Sequence, residues 1–336
     1  MLRGLLMIKN ILLILSLFLF AVSCAQTDLQ TTVSITDSVD WNDFVERYNS
    51  GEYTVSDRNN NADSGTADIT VEFAPELELI ADCSLGTPDI PFRGELRFNG
   101  SRVVFAKNLV AYADDVSISD LCVYSNGERR VLGSIVANCT GRAEFMNISL
   151  NSSTSEDGTS IVPSPETLFF DSPILLGSGG GVRLDDIRIF NAVVSSYESA
   201  AGLVGSCDSL DAARLNISSM TVQSLYGQLT TDSSLIVRTV GSLNLTDCEI
   251  SRSSVTALTY ASGCALECTS AAVDNVTYRD CNISTFPTLT TPGSATVIAV
   301  RGLNEFTESG LTAENVNLNA DITGVVTADP QSKYYN

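Results

Sequence analysis

Two pairs of adjacent carboxylates come closer than any other residues of this chain to a catalytic arrangement. They are Asp114 with Asp115 and Asp185 with Asp186. Polysaccharide hydrolases and lyases place such acids on one face of neighbouring turns, and carboxyl groups about 5 to 10 Å apart suffice for hydrolysis. The chain is repetitive, as described below, and the two pairs lie about two repeats apart, which is roughly 10 Å along a stack of strands. Asn147 occupies the equivalent position in the repeat between them. We therefore expect no enzyme, and keep a carbohydrate-active enzyme as the alternative.

The chain contains no histidine. This excludes Ser-His-Asp and Cys-His nucleophilic systems, and zinc sites that need imidazole. The glycine-rich stretch 177–181 lacks the lysine and the strand-to-helix setting of a phosphate-binding loop, so we interpret it as a flexible corner. The sequence predicts no catalytic residues, no metal and no cofactor.

The nine cysteines point to disulfides rather than to metal binding. Cys264 and Cys268 form a Cys-x₃-Cys pair without a second pair at a metal-like spacing, which favours a disulfide in an exported chain. Cys248 and Cys281 occupy the same position of a repeated sequence phrase, which is described below. Equivalent residues of stacked repeats lie about 4.8 Å apart, a distance that permits a disulfide between the two cysteines or a ladder of two buried thiols. The candidate bridges are Cys264–Cys268, Cys248–Cys281 and Cys122–Cys139.

Eight Asn-x-Ser/Thr sequons are candidate N-glycosylation sites. Roughly five would arise by chance in a chain so rich in Ser and Thr, so the excess modestly favours a eukaryotic glycoprotein. The candidates are Asn99, Asn138, Asn147, Asn151, Asn216, Asn244, Asn275 and Asn282.

Asp or Asn also recurs just before a repeated strand. The positions are Asp115, Asn147, Asp186, Asn216, Asn244, Asn275 and Asn315. These side chains could form an internal ladder that bonds to the backbone at each turn. Alternatively they could occupy exposed corners, since Asn and Asp tolerate the left-handed conformation, and some could carry glycans. We favour exposed corners.

The N-terminus, residues 1–25, has the features of a secretory signal peptide. Arg3 and Lys9 provide a basic region, residues 11–22 are apolar or small, and small residues precede a cleavage site after Ala25. The apolar run is short for a bilayer core of about 30 Å. A weaker alternative is a bacterial lipoprotein attached through Cys24. We expect a secreted or extracellular surface protein.

Composition limits the partners. The net charge of −21 over 336 residues repels nucleic acid and anionic membranes. No later segment is apolar enough to span a membrane, and the tail 326–336 is polar. An extracellular protein or glycan is therefore the expected partner, and the chain could also be the N-terminal part of a larger anchored surface antigen.

Residues 40–48 have the spacing of a short amphipathic helix. Ser38 or Asp40 could cap its start. Its apolar face consists of Trp41, Phe44, Val45 and Tyr48 at i, i+3, i+4 and i+7. We assign residues 26–102 to an N-terminal cap in which this helix covers the first turn of the next domain.

Residues 103–325 are repetitive, and the repeat decides the fold class. One phrase recurs: an apolar residue, two polar positions, a small or apolar residue, one further position, and Ile or Val. Copies lie roughly 28 to 40 residues apart, as expected for stacked solenoid turns. They occupy residues 118–123, 189–194, 217–222, 245–250 and 278–283, with looser copies at 145–150 and 316–322. The pattern predicts an all-β protein, a right-handed parallel β-helix solenoid with a short N-terminal capping helix.

This layout resembles the right-handed parallel β-helix surface proteins that carry GLUG-type repeats. The resemblance rests on Pro-Phe-Arg-Gly at 91–94 followed by Gly100, Gly-Leu-Val-Gly at 202–205, and Asn-Leu-Thr-like segments at 216–218, 244–246 and 275–277. It covers residues 39–322, and one repeat keeps Gly-Leu-Val-Gly intact. The family implies an exported, adhesin-like surface setting and no catalytic residues. We expect a non-catalytic structural or adhesive protein.

Overall fold

The computed structural model describes residues 31–53, 68–105, 107–125, 131–154, 161–224, 231–286 and 293–320. Strand accounts for 63% of the structure and the described residues contain one helix, so the all-β class is confirmed. No helix in these ranges is long and apolar enough to cross a membrane. The predicted signal peptide and the predicted polar tail lie outside the described residues.

The helix, α1, extends over Ser38–Asn49, slightly longer than the predicted 40–48. Its cap is Asp37, whose carboxylate accepts hydrogen bonds from the backbone N–H groups of Val39 and Asp40 at 2.8 and 2.9 Å. The prediction of Ser38 or Asp40 as the cap is therefore wrong. Asp40 instead accepts hydrogen bonds from the backbone and hydroxyl of Thr36.

The predicted apolar face of α1 is buried against the first strands. Trp41 is fully buried, and its ring lies 5.6 Å from that of Phe73, which stacks on Phe98 at 4.1 Å. The Tyr48 hydroxyl donates a 3.0 Å hydrogen bond to the carbonyl of Pro91. The helix thus continues the hydrophobic core at its N-terminal end.

Thirty strands are present in the described ranges. The first fifteen are β1 Thr31–Ile35, β2 Ile69–Phe73, β3 Glu78–Ala81, β4 Phe92–Arg97, β5 Arg102–Phe105, β6 Val110–Ser119, β7 Cys122–Val123, β8 Val131–Leu132, β9 Val136–Cys139, β10 Ala143–Leu150, β11 Ser152–Thr154, β12 Ile161–Pro163, β13 Leu168–Phe170, β14 Leu176–Gly179 and β15 Gly181–Phe190. The others are β16 Ala192–Ser195, β17 Ser199–Ala201, β18 Val204–Ser218, β19 Thr221–Ser224, β20 Asp232–Ser234, β21 Val237–Ser251, β22 Ser254–Ala257, β23 Tyr260–Ser262, β24 Ala265–Arg279, β25 Asn282–Thr285, β26 Ser294–Thr296, β27 Ala299–Arg301, β28 Glu305–Ser309, β29 Thr312–Glu314 and β30 Asn317–Ala320.

Most of these strands pair in parallel with the equivalent strand one repeat further along the chain. Leu184 of β15 pairs with Ala212 of β18, which pairs with Leu245 of β21, which pairs with Val273 of β24. All four side chains are buried. We call such a set of in-register residues a column. Inward columns of apolar residues form one hydrophobic core, because a single repeat cannot bury its own apolar face.

The parallel strands are distributed over three sheets. The largest has seventeen strands, a second contains β8, β13, β16, β19, β22, β25 and β30, and a third contains β17, β20, β23 and β26. Within the largest, the pairings close a ring of six strands: β6, β9, β14, β18, β15 and β10. The ring arises because β6 and β18 each run continuously through a bend. In the two repeats between them the strand is interrupted at that bend, so β9 and β10 are separate strands, and so are β14 and β15.

Two series of residues with left-handed backbone conformation form corners of the repeats. The first comprises Asp120, Asn147, Asp186, Arg214, Asp247 and Asn275, and the second Asn151, Asn191, Ser219, Arg252, Asp280 and Asn315, all with positive φ. Four of the predicted corner positions are confirmed: Asn147, Asp186, Asn275 and Asn315. The other three, Asp115, Asn216 and Asn244, do not have positive φ and lie in extended parts of strands.

Candidate functional site

The paired carboxylates engage partners within their own chain. Asp114 accepts a 2.7 Å hydrogen bond from the Thr140 hydroxyl, and Asp115 accepts one of 2.7 Å from the backbone N–H of Arg142. These bonds join two neighbouring repeats, so both acids act as links along the stack.

The second pair is neutralised by arginines. Asp185 lies 2.7 Å from a guanidinium nitrogen of Arg214, and Asp186 lies 2.7 Å from one of Arg188. In the described part of the chain, no group of three or more His, Cys, Asp or Glu residues could hold a metal ion. The two acid pairs thus do not form a shared carboxylate cluster.

No disulfide is found among the described cysteines. The prediction that Cys248 and Cys281 occupy equivalent positions of neighbouring repeats is wrong, because Cys248 pairs in register with Val276. The Cys264 thiol lies 2.7 Å from the buried hydroxyl of Tyr278, and Cys268 donates to the carbonyl of Ser270.

The third candidate bridge is also separated by the register of the strands. Cys122 pairs with Ser149 of the following repeat, whereas Cys139 pairs with Ala113 and Gly179. The two cysteines therefore belong to different columns, and equivalent residues of neighbouring repeats are the ones brought close enough to be bridged.

Burial makes the interior thiols poor nucleophiles. It raises the pKa of Cys139, Cys248 and Cys268 to about 11. It raises the pKa of Cys207 and Cys264 to about 12. Because the thiolate is the reactive form, these cysteines serve as small apolar core residues at neutral pH.

The predicted glycosylation sites differ in exposure. Six of the asparagines are exposed: Asn99, Asn147, Asn216, Asn244, Asn275 and Asn282; Asn138 is half-buried. Asn151 is 1% exposed, and its amide nitrogen donates to the carbonyls of Glu166 and Asn191. A glycan on that nitrogen does not fit this fold.

The corner asparagines combine features of both interpretations made from the sequence. Asn147 is exposed, yet its amide donates a 2.7 Å hydrogen bond to the carboxylate of Asp120, one repeat earlier. Asn315 donates to Asp280 in the same way at 3.0 Å. These side chains therefore join pairs of neighbouring repeats, but on the outside of the stack.

The outward side of β18, β21 and β24 carries mostly short side chains. We call this surface the serine face. It comprises three columns: Ser209, Ser242 and Ser270; Asp211, Asn244 and Ala272; and Ala213, Thr246 and Asp274. Short side chains on three strands in register give a flat polar surface with hydroxyl, amide and carboxylate groups at regular spacings of about 4.8 Å.

A groove of about 410 Å³ borders the serine face. We call it the Gly181 groove. It is lined by Thr140, Gly141, Arg142, Gly180, Gly181, Val182, Arg183, Asp208, Ser209 and Asp211. Of the glycines that line it, Gly181 begins β15, Gly180 lies in the bend between β14 and β15, and Gly141 lies between β9 and β10. Residues 177–179 lie in β14, so the predicted corner at 177–181 is confined to Gly180. These residues lie in or between paired strands.

Charged side chains of both signs surround this groove. Arg142 lies 2.8 Å from the carboxylate of Glu144. Arg183, Asp208 and Asp211 are exposed, and none of the three side chains forms an ion pair or hydrogen bond within the described ranges. Three charged groups are thus available to a ligand. The indirect signal for this site in the sequence is the glycine run followed by Arg183.

A second depression of about 310 Å³ lies at a corner of the stack. It is lined by Asp247, Cys248, Glu249, Asn275, Thr277 and Arg279. Its polar groups already interact with one another: Arg279 lies 2.9 Å from Glu314 and 3.5 Å from Glu249. The Gly181 groove is therefore the better candidate site.

Comparisons with known proteins leave this geometry as the basis for a functional assignment. No protein-family model matches the chain, and no curated protein and no solved structure is significantly similar to it.

Proposed function

We propose that this chain is a non-catalytic, exported surface protein whose stacked parallel strands form a right-handed β-helix that binds an extracellular glycan or protein. The observation that carries the proposal is the serine face, a polar surface of exposed and half-buried short side chains on three strands in strict register. Such a surface can meet an extended partner over several repeats, and its short side chains require little ordering on binding.

The parallel register supports the β-helix. Ile189, Ile217 and Ile250 pair successively in one buried column, as expected when each repeat is one turn of a solenoid. Connections between parallel strands of one sheet are right-handed in the great majority of proteins, which favours that hand here.

Gly202 and Gly205 support the resemblance to GLUG-type proteins. A Cβ atom on Gly202 would lie 2.0 Å from the carbonyl oxygen of Leu235, and one on Gly205 would lie 2.1 Å from that of Gly177. The Gly-Leu-Val-Gly phrase thus meets a packing requirement between repeats.

Charge and exposure favour an extracellular setting with a glycan or protein partner. The net charge of −21 disfavours nucleic acid and anionic lipid. The exposed sequons are compatible with glycosylation in a secretory pathway. The predicted signal peptide at residues 1–25 provides the route of export.

The internal bonds of the four acids favour binding over catalysis. A glycosidase needs one carboxyl group to donate a proton and the other to act as a base or a nucleophile, both facing the substrate. Asp185 and Asp186 instead form ion pairs with Arg214 and Arg188. A polysaccharide lyase or hydrolase is therefore the weaker proposal.

A cell-surface assay tests the proposed function. Fluorescently labelled protein would be incubated with intact eukaryotic cells, with and without periodate treatment, which cleaves the vicinal diols of sugars. We expect saturable retention, lost after periodate for a glycan partner and after surface proteolysis for a protein partner. Absence of saturable retention on every cell type would contradict an adhesive role.

A further inference from the structure

We propose that the Gly181 groove binds a neutral hexose unit of an extracellular glycan. This inference rests on the proposed function and assigns its ligand class and its site. The groove offers a glycine floor, one available guanidinium and two available carboxylates within a single concave surface.

The first step of the argument concerns glycines that the fold requires. A Cβ atom on Gly180 would lie 2.6 Å from the carbonyl oxygen of Gly141, and one on Gly141 would lie 2.5 Å from that of Asp114. Contacts this short do not occur for real Cβ atoms, so both positions need glycine for close approach of neighbouring repeats.

Gly181 differs from these two. A Cβ atom there would meet only the Ser209 hydroxyl, at 3.5 Å, an ordinary van der Waals distance, and its φ is not positive. In the same column, Ser209 and Ser242 carry side chains. The fold does not require glycine at 181, but its small size opens the floor of the groove to a ligand.

The second step concerns hydrogen bonding. Arg183 offers only donors, whereas ionised Asp208 and Asp211 offer only acceptors. A sugar hydroxyl both donates and accepts, so a sugar can hydrogen-bond to groups of both kinds. Hydrogen bonds to charged groups contribute more than neutral ones.

The third step concerns ligand charge. The two carboxylates disfavour an acidic sugar, and the net charge of −21 repels polyanions over a longer range. Arg183 and Arg142 disfavour a cationic ligand. A neutral polyhydroxylated ligand is the class that neither sign of charge opposes.

The Gly181→Gln variant tests the site, because glutamine fills the floor without adding charge. Ser195→Gln is the matched control: it adds the same side chain on β16, in a different sheet from the groove and the serine face, where the in-register neighbour one repeat later is already a glutamine, Gln223. Arg183→Ala removes the available guanidinium. Thermal unfolding of each variant establishes that it is folded before binding is measured.

The probes are neutral cello-, laminari-, manno- and chito-oligosaccharides, with oligogalacturonate as the acidic probe, and binding is measured by calorimetry. We expect wild type to bind at least one neutral probe. Gly181→Gln and Arg183→Ala should each weaken that binding by about tenfold or more, the effect of losing about 1.4 kcal/mol. Ser195→Gln should bind as wild type does.

Equal binding by wild type, Gly181→Gln and Arg183→Ala would overturn the groove and leave the proposed adhesive function intact. Binding of oligogalacturonate alone would overturn the neutral class. No binding to any probe would overturn this inference, while the cell-surface assay would decide the proposed function separately.

Discussion

The amide nitrogen of Asn275 donates a 2.6 Å hydrogen bond to the carboxylate of Asp247, the corner residue one repeat earlier. Both residues have positive φ, 52° and 53°. The bond is exposed and charge-assisted, and it joins two corners whose backbone conformation is unfavourable for most residues. Asn275 thus serves the backbone and the contact between repeats together.

Replacement of Asn275 by alanine should lower the free energy of unfolding by about 2 kcal/mol, because it removes this bond and strains the left-handed corner. Asn275→Gly should cost less, since glycine adopts that conformation freely. Urea unfolding of the unglycosylated protein measures the difference. Asn216→Ala, at an exposed strand position, is the control, and equal losses at both sites would refute the corner's role.

Trp41→Ala should lower the free energy of unfolding by about 3 to 5 kcal/mol, the usual cost of removing a buried aromatic side chain. The expected cause is loss of the packing between α1 and Phe73 at the N-terminal end of the core. Val39→Ala is the control, because Val39 is 72% exposed. If Trp41→Ala melts like wild type, α1 does not cap the stack.

The two glycines of the groove floor should respond differently to alanine. Gly180→Ala should destabilise by about 1 to 3 kcal/mol, since its Cβ would overlap the Gly141 carbonyl. Gly181→Ala should change stability by less than about 0.5 kcal/mol. Chemical denaturation of both variants tests this; a large loss at Gly181 would mean that the fold itself requires that glycine.

The buried thiols predict both a labelling pattern and a pH dependence. Cys207 and Cys264, with pKa values raised to about 12, should resist alkylation at pH 8 in the folded protein. Denaturation without reductant should make all eight described cysteines reactive. Mass spectrometry counts the labels, and fewer than eight labels after denaturation would support the predicted disulfides.

The sign of the pH effect follows from the same burial. Unfolded thiols ionise near pH 8.5, whereas the folded ones stay neutral to higher pH. Their contribution to stability is therefore complete below about pH 8.5 and declines as the pH rises toward 11 to 12. The urea midpoint should fall over that interval, and should fall less in a Cys207→Ala variant.

The sequence was sufficient for local features and for the existence of the repeat. The four buried residues of α1 follow from helical spacing, and the all-β class from the recurring phrase. The register was harder to predict, because the two corners of each repeat have similar apolar spacing. In one repeat, residues 245–250 surround the first corner and residues 250–255 surround the second. The phrase at 245–250 resembles the phrase at 278–283, which surrounds a second corner, so an alignment of the two phrases pairs different corners.

The Gly181 groove could not be predicted from the sequence for a different reason. It depends on which side chains of neighbouring repeats meet, such as Asp208 beside Gly180 and Asp211 beside Arg183. The absence of a side chain at Gly181 indicates an open groove only when the residues paired in register with Gly181 are known. Likewise, the engagement of Asp185 by Arg214 depends on the register between β15 and β18.

A polysaccharide panel, read for both retention of the protein and release of reducing ends, tests the central claim most directly. The account predicts that purified protein is retained by at least one neutral polysaccharide and releases no reducing ends from any. Release of reducing ends, abolished by Asp114→Asn or Asp185→Asn with folding unchanged, would contradict it and establish an enzyme.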